Sequence, residues 1–167
     1  MKSPPEEAVC ADCGKLHARS AMELSFKRPD DVAALSAEQR KTQAMESDDL
    51  CAIWPGRFFV RGVLPLQVRE WGKPYRIGVW VEVERSVFDR VRELWDAEAQ
   101  DQEPAFVASL ANAIPSCPPT TGLPAMLKLT GPTSRPDVLI PPSDHPLHRE
   151  QCLGISAHRA NEYSSHF

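Results

Sequence analysis

Two stretches in the middle of the chain alternate apolar and polar residues with the period of two that is typical of a half-buried β-strand. They cover residues 57–64 and 75–84, and another apolar run at 50–54 precedes them. Pro55-Gly56, between the runs at 50–54 and 57–64, predicts a tight turn and therefore a hairpin. Residues 57–64 should then present two faces, one with Phe58, Val60, Gly62 and Leu64 and the other with Phe59, Arg61 and Val63.

Two capping-box patterns predict the starts of helices. Ser36, with Gln39 three residues later, predicts a helix to about residue 44. Ser86, with Asp89 three residues later, predicts a helix to about residue 96. The second helix would bury one apolar stripe, made of Val87, Phe88, Val91, Leu94 and Trp95.

The C-terminal part is rich in proline, which excludes a long helix there. Nine of the sixteen prolines lie between Pro115 and Pro146. Around them we expect short elements: a strand at the start of 105–114, strands at 126–130 and 137–140, and helices at 143–154 and 156–162.

This order of elements predicts a single α+β domain over residues 10–163. Its sheet should be mainly antiparallel, with a few helices on one face. Residues 1–9 are expected to form a flexible tail, and Pro29 is expected to open a short helical turn.

Composition and charge narrow the function classes. The chain has 167 residues, of which 42% are hydrophobic and 25% charged, and a net charge of −4. Without a basic cluster, neither nucleic acid nor an anionic membrane is expected as a partner. The chain also lacks a long apolar run and a hydrophobic leader, so we expect a cytoplasmic protein.

The clearest chemical motif is the turn Cys10-Ala11-Asp12-Cys13-Gly14, followed by His17. A Cys-x-x-Cys turn supplies two thiolates to a tetrahedral zinc ion, and glycine lets the backbone curl around the metal. We therefore predict an N-terminal turn resembling a zinc knuckle, which binds structural zinc through Cys10, Cys13, Cys51 and His17. The alternatives are unligated buried thiols with a surface histidine, or a redox dithiol, which usually starts a helix.

Two other groups of residues are candidates for a functional site. Asp144-His145 is either a general base or metal site, or part of a helix start in which Ser143 or Asp144 is the N-cap. Arg61 and Arg135 either converge on a carboxylate or phosphate, or lie along the surface with packed stems.

Six short segments together resemble the bacterial domain-of-unknown-function family numbered 2199. They are the Cys10/Cys13/Gly14/His17 turn, Asp49 to Ile53, Phe58 to Gly62, Gly78 to Val81, Arg135-Pro136 and Asp144 to Leu147. The resemblance runs from Cys10 to about Ala160 and implies no activity. The resemblance implies that cysteines at positions 10, 13 and 51 belong to the family's pattern, whereas Cys117 and Cys152 do not. The chain departs from that pattern between Glu70 and Arg76.

Three functions remain open from the sequence. The first is a zinc-stabilised binding or protein-interaction module without catalysis, whose partner is an unknown protein or small ligand. The second is a metal-dependent hydrolase that uses the Asp144/His145 region. The third is a toxin-immunity-type protein, suggested by small size and negative charge.

Overall fold

The computed structural model describes residues 23–165, together with the backbone of residues 7–9 and 16–18. The strands are β1 (Glu7–Val9), β2 (Leu16–Ala18), β3 (Ala44–Glu46), β4 (Leu50–Ile53), β5 (Arg57–Gln67), β6 (Pro74–Val83), β7 (Phe106–Leu110), β8 (Pro124–Lys128) and β9 (Asp137–Leu139). The helices are α1 (Asp30–Ala33), α2 (Ala37–Gln43), α3 (Arg85–Glu93), α4 (Pro146–Leu153) and α5 (Ala157–Ser164).

Strands β5 to β9 form a small barrel. They pair in chain order, and β9 then returns to pair with β5. The returning pair is parallel, with Val63 opposite Asp137, whereas the other pairs are antiparallel. Strands β4 and β3 extend the sheet from the first half of β5. The molecule is therefore a single α+β domain whose sheet is mixed.

The predicted sheet, mainly antiparallel with a few helices on one face, is confirmed only in part, because β9 pairs in parallel with β5 and the sheet closes into a barrel. The physical reason lies at Gly62, where β9 crosses β5. A Cβ at Gly62 would lie 2.6 Å from Cγ2 of Val138 and 3.0 Å from the Pro136 carbonyl oxygen. The missing side chain lets the two backbones approach and close the barrel.

The two faces predicted for β5 are confirmed. Phe58, Val60 and Leu64 are buried in the main core, inside the barrel. On the outer face, a second, smaller cluster contains buried Val32, Cys51, Phe59, Trp80 and Ala111. Both faces of the hairpin of β5 and β6 are thus covered near Phe59, and the outer face opens only further along.

The apolar residues predicted to face the core from α3 do so, whereas the predicted N-caps of the helices are only partly confirmed. The Ser36–Gln39 capping box is present at α2, and Ser156 caps α5. On α3, Phe88 and Val91 are buried, and the other stripe residues pack against the core. However, the N-cap of α3 is Glu84, two residues before Ser86, and it makes no side-chain cap, so the capping box predicted at Ser86 is wrong.

Candidate functional site

Beyond Trp80, the outer face of β5 and β6 opens into a cleft of about 550 Å³. Its floor comes from Val63 of β5 and Gly78 of β6. Its walls are formed by Glu23, Ser25, Arg76, Thr133, Ser134 and Arg135. Six of the eight lining residues are charged or carry hydroxyls.

Arg61 lines a neighbouring cavity and is linked to the cleft through Ser25, one of the residues that line it. Its Nη2 donates to Ser25 Oγ at 2.9 Å, and its Nη1 donates to the Asp48 carbonyl oxygen at 3.3 Å. The guanidinium carbon lies 5.9 Å from the centre of the Trp80 ring. Its Nε is buried without a hydrogen-bond partner among the described residues.

The charge of Arg61 is poorly compensated. Burial lowers the pKa of its guanidinium, and the neighbouring positive charge of Arg135 lowers that pKa further. Asp49 and Asp48 act in the opposite direction. The charge of Arg135 thus acts on Arg61. That these two arginines converge on a bound carboxylate or phosphate stays a prediction.

Arg135 is fixed by the loop that connects β8 and β9. Thr130 Oγ1 donates to the Arg135 carbonyl oxygen at 2.9 Å, and Val63 donates its N–H to the Pro136 carbonyl oxygen at 2.8 Å. The Arg135 side chain donates from Nε to Asp49 Oδ1 at 2.8 Å. Asp49 thus holds Arg135 through Nε, and Arg135 lines the cleft.

Arg76 and Glu23 form the opposite wall of the cleft. The Arg76 side chain is exposed on the outer face of β6, and its backbone N–H donates to Glu23 Oε2. Burial raises the pKa of nearby Asp137, and the charge of Arg76 partly offsets this rise. Arg76 lines the cleft, and no ion pair of its side chain within 4.0 Å occurs among residues 23–165.

The segment at 24–30 holds Ser25 in place. Leu24 donates its N–H to Tyr75 Oη at 2.7 Å, and backbone hydrogen bonds join Leu24 and Phe26 to Gly78. Trp80 Nε1 donates to the Phe26 carbonyl oxygen at 3.0 Å. Buried Asn112 then joins the Arg28 carbonyl oxygen to the Trp80 backbone.

Cys51 lies in the outer-face cluster and is almost fully buried. Burial, and secondarily the carboxylate of Glu46, raises the pKa of the Cys51 thiol to about 11. Cys117 is half-buried and Cys152 is exposed, and all three cysteines are free thiols. Residues 23–165 contain no group of three His, Cys, Asp or Glu side chains that could hold a metal.

The predicted zinc turn, with Cys10 and Cys13, lies outside the described residues, as do residues 1–6 of the predicted tail. The backbone on either side of the turn is described: β1 pairs with β2, so that Val9 is opposite Leu16 and Ala8 is opposite His17. Strand β2 contacts α5. The zinc site at Cys10, Cys13, Cys51 and His17 stays a prediction.

His145 is the N-cap of α4, which corrects the prediction that Ser143 or Asp144 has this role. Its Nδ1 accepts from the Leu147 N–H at 3.0 Å, and its Nε2 lies 3.1 Å from the Pro118 carbonyl oxygen. The first bond makes Nε2 the protonated nitrogen, which donates to Pro118. Both ring nitrogens therefore have structural roles: Nδ1 caps α4, and Nε2 bonds the chain at Pro118.

Sequence reasoning missed Glu23, Ser25 and Arg76 as site residues. A signal for Arg76 was present, because it occupies an outward position two residues before Gly78 on a strand with period two. Glu23 and Ser25 had no such signal, since they reach the cleft only through the pairing of their segment with β6.

No helix in the described part of the chain is long and apolar enough to cross a membrane.

Comparison with curated proteins finds no match, and comparison with solved structures finds none either. A family model described as "Uncharacterized protein conserved in bacteria (DUF2199)" matches residues 9–155. The chain therefore belongs to the DUF2199 family of bacterial proteins.

Proposed function

We propose that this protein is a binding module, without catalysis of its own, whose ligand presents an anionic group to Arg76 and Arg135. The observation that carries the proposal is that Arg76 and Arg135 line one open cleft, and that Arg61 is bonded to Ser25 of the same cleft. Guanidinium groups bind carboxylates and phosphates through paired hydrogen bonds, so both kinds of anion are tested below.

The surroundings of the arginines support binding by a preorganised site. Arg135 is held by Asp49, and the loop that carries it is bonded to β5. A side chain that is already ordered loses less conformational entropy when a ligand arrives. The hydroxyls of Ser25 and Thr133 line the same cleft and add neutral hydrogen-bonding groups.

A structural zinc ion at the N-terminal turn is part of this proposal. The pairing of β1 with β2 supports it, because a Cys-x-x-Cys sequence that connects two paired strands is typical of zinc knuckles. Cys10 and Cys13 would supply thiolates, with His17 and Cys51 as the remaining ligands. Zinc would join the hairpin to the domain and supply folding free energy.

The position of Cys51 on β4 determines how far the N-terminal turn must reach if both bind the same zinc ion. On β5, Phe59 lies opposite Cys51, and Leu66 lies opposite Tyr75, whose hydroxyl bonds Ser164 of α5. Phe59 and Leu66 are separated by roughly 23 Å of extended strand. Since β2 contacts α5, the turn at 10–15 must reach back toward Cys51 to share a metal with it.

The hydrolase and the toxin-immunity protein remain predictions that no described contact favours.

Cleft binding can be tested by titrating isotope-labelled protein with glutarate and, separately, with inorganic phosphate, while amide NMR shifts are followed. We expect at least one anion to move the Gly78 and Thr133 amides, and Arg76→Gln to weaken that binding by about tenfold. Arg85→Gln, at an exposed arginine of α3, is the matched control. Equal binding by wild type and Arg76→Gln, or no shift with either anion, would overturn the proposal.

A further inference from the structure

The arginine-lined cleft also contains a negative group, Glu23, and this combination restricts its ligand. Glu23 lines the same cavity as Arg76 and Arg135. Its Oε2 accepts from the Arg76 backbone N–H, which anchors the carboxylate at the wall. Its Oε1 makes no hydrogen bond among the described residues, so one oxygen of an oriented carboxylate is available to a ligand.

A phosphate dianion is a poor match for this arrangement. It would gain from Arg76 and Arg135 but would be repelled by the Glu23 carboxylate at the same wall. A ligand that carries an ammonium group beside its carboxylate satisfies both signs of charge. The complementary pattern, with cations on one side and an anion on the other, favours that class by attraction and rejects simple anions by repulsion.

We infer that the cleft binds a zwitterionic amino acid or a close amino-acid derivative, with its carboxylate on Arg76 and Arg135 and its ammonium on Glu23. This inference rests on the proposed function and names the ligand class of the same site. The cavity of about 550 Å³ falls in the size range of sites for small molecules. Ser25 and Thr133 supply further hydrogen-bonding groups for such a ligand.

Glutarate and L-glutamate test the inference because they differ only in the ammonium group. We expect wild-type protein to bind L-glutamate about tenfold or more tightly than glutarate, measured by calorimetry or amide NMR shifts. Glu23→Gln keeps an oxygen for the Arg76 N–H but removes the charge. This variant should lose most of the preference for L-glutamate and should bind glutarate as well as wild type does, or better.

The outcomes separate this inference from the proposed function. If glutarate binds as tightly as L-glutamate, or if Glu23→Gln leaves the preference unchanged, the amino-acid assignment is overturned while the anion site stands. If neither compound binds and phosphate also fails, both proposals are overturned. Arg76→Gln should weaken both compounds similarly, and Glu98→Gln, at an exposed carboxylate distant from the cleft residues in sequence, serves as the charge-matched control.

Discussion

Gly78 and Ser25 lie so close that a Cβ at Gly78 would fall 2.5 Å from Ser25 Oγ. The same Ser25 hydroxyl accepts the hydrogen bond from Arg61 Nη2 at 2.9 Å. A missing side chain on β6 thus makes room for the group that holds Arg61. Backbone bonds from Leu24 and Phe26 to Gly78 leave the serine little freedom to move away.

We therefore predict that Gly78→Ala lowers the free energy of unfolding by about 1–3 kcal/mol, because the new methyl must displace Ser25. The same variant should weaken binding at the cleft. Gly56→Ala is the control, since nothing lies within 4 Å of a Cβ there. Denaturant unfolding of both variants measures the effect, and equal stability would show that Ser25 relaxes freely.

The burial of α3 gives a second prediction. Val91 is completely buried against the barrel core. Val91→Asp should reduce the free energy of unfolding by about 3 kcal/mol or more, because an unpaired carboxylate would be placed in an apolar core. Ser86→Asp adds the same charge on the exposed side of the first turn and should change stability little. A thermal midpoint of Val91→Asp equal to that of wild type would contradict the packing of α3.

A pH dependence follows from Cys51 in metal-free protein. Its folded pKa of about 11 is raised above the value of an exposed thiol, so between the two values the folded state binds more protons than the unfolded state. The contribution to stability is full below the unfolded pKa and is lost as pH rises through about 11. The stability difference between wild type and Cys51→Ala, measured across this range after chelation, should decrease as pH rises. A constant difference would mean that the folded thiol titrates normally.

Zinc content gives a fourth prediction. Cys10→Ser, Cys13→Ser and Cys51→Ser should each release the metal from purified protein, because each removes a predicted thiolate ligand. Cys117→Ser and Cys152→Ser are the controls and should retain as much zinc as wild type. Elemental analysis of the single variants gives zinc per chain. Wild type without zinc after mild purification would overturn the metal site, and a full equivalent in Cys51→Ser would leave Cys51 as a packed core thiol.

The sequence alone determined the local structure well. The alternation along 57–64 identified which side chains of β5 face each side, and the Ser36 capping box identified the start of α2. These features depend on the backbone period and on hydrogen bonds between near neighbours, which local residue types control. The cap of α4 differed because His145 is held by a bond to the distant Pro118 carbonyl oxygen, which no local pattern predicts. The start of α3 at Glu84 has no explanation in the described contacts.

Tertiary structure decided the closure of the barrel and the composition of the cleft. Period two gives the faces of a strand but not its partners, so the parallel pairing of Val63 with Asp137 had no local signal. Arg61 and Arg135 were recognisable as charged residues in unusual places, but Glu23 and Arg76 became their neighbours only through pairings distant in sequence. A site assembled from separate segments depends on how the sheet folds back, and that depends on the packing of the whole core.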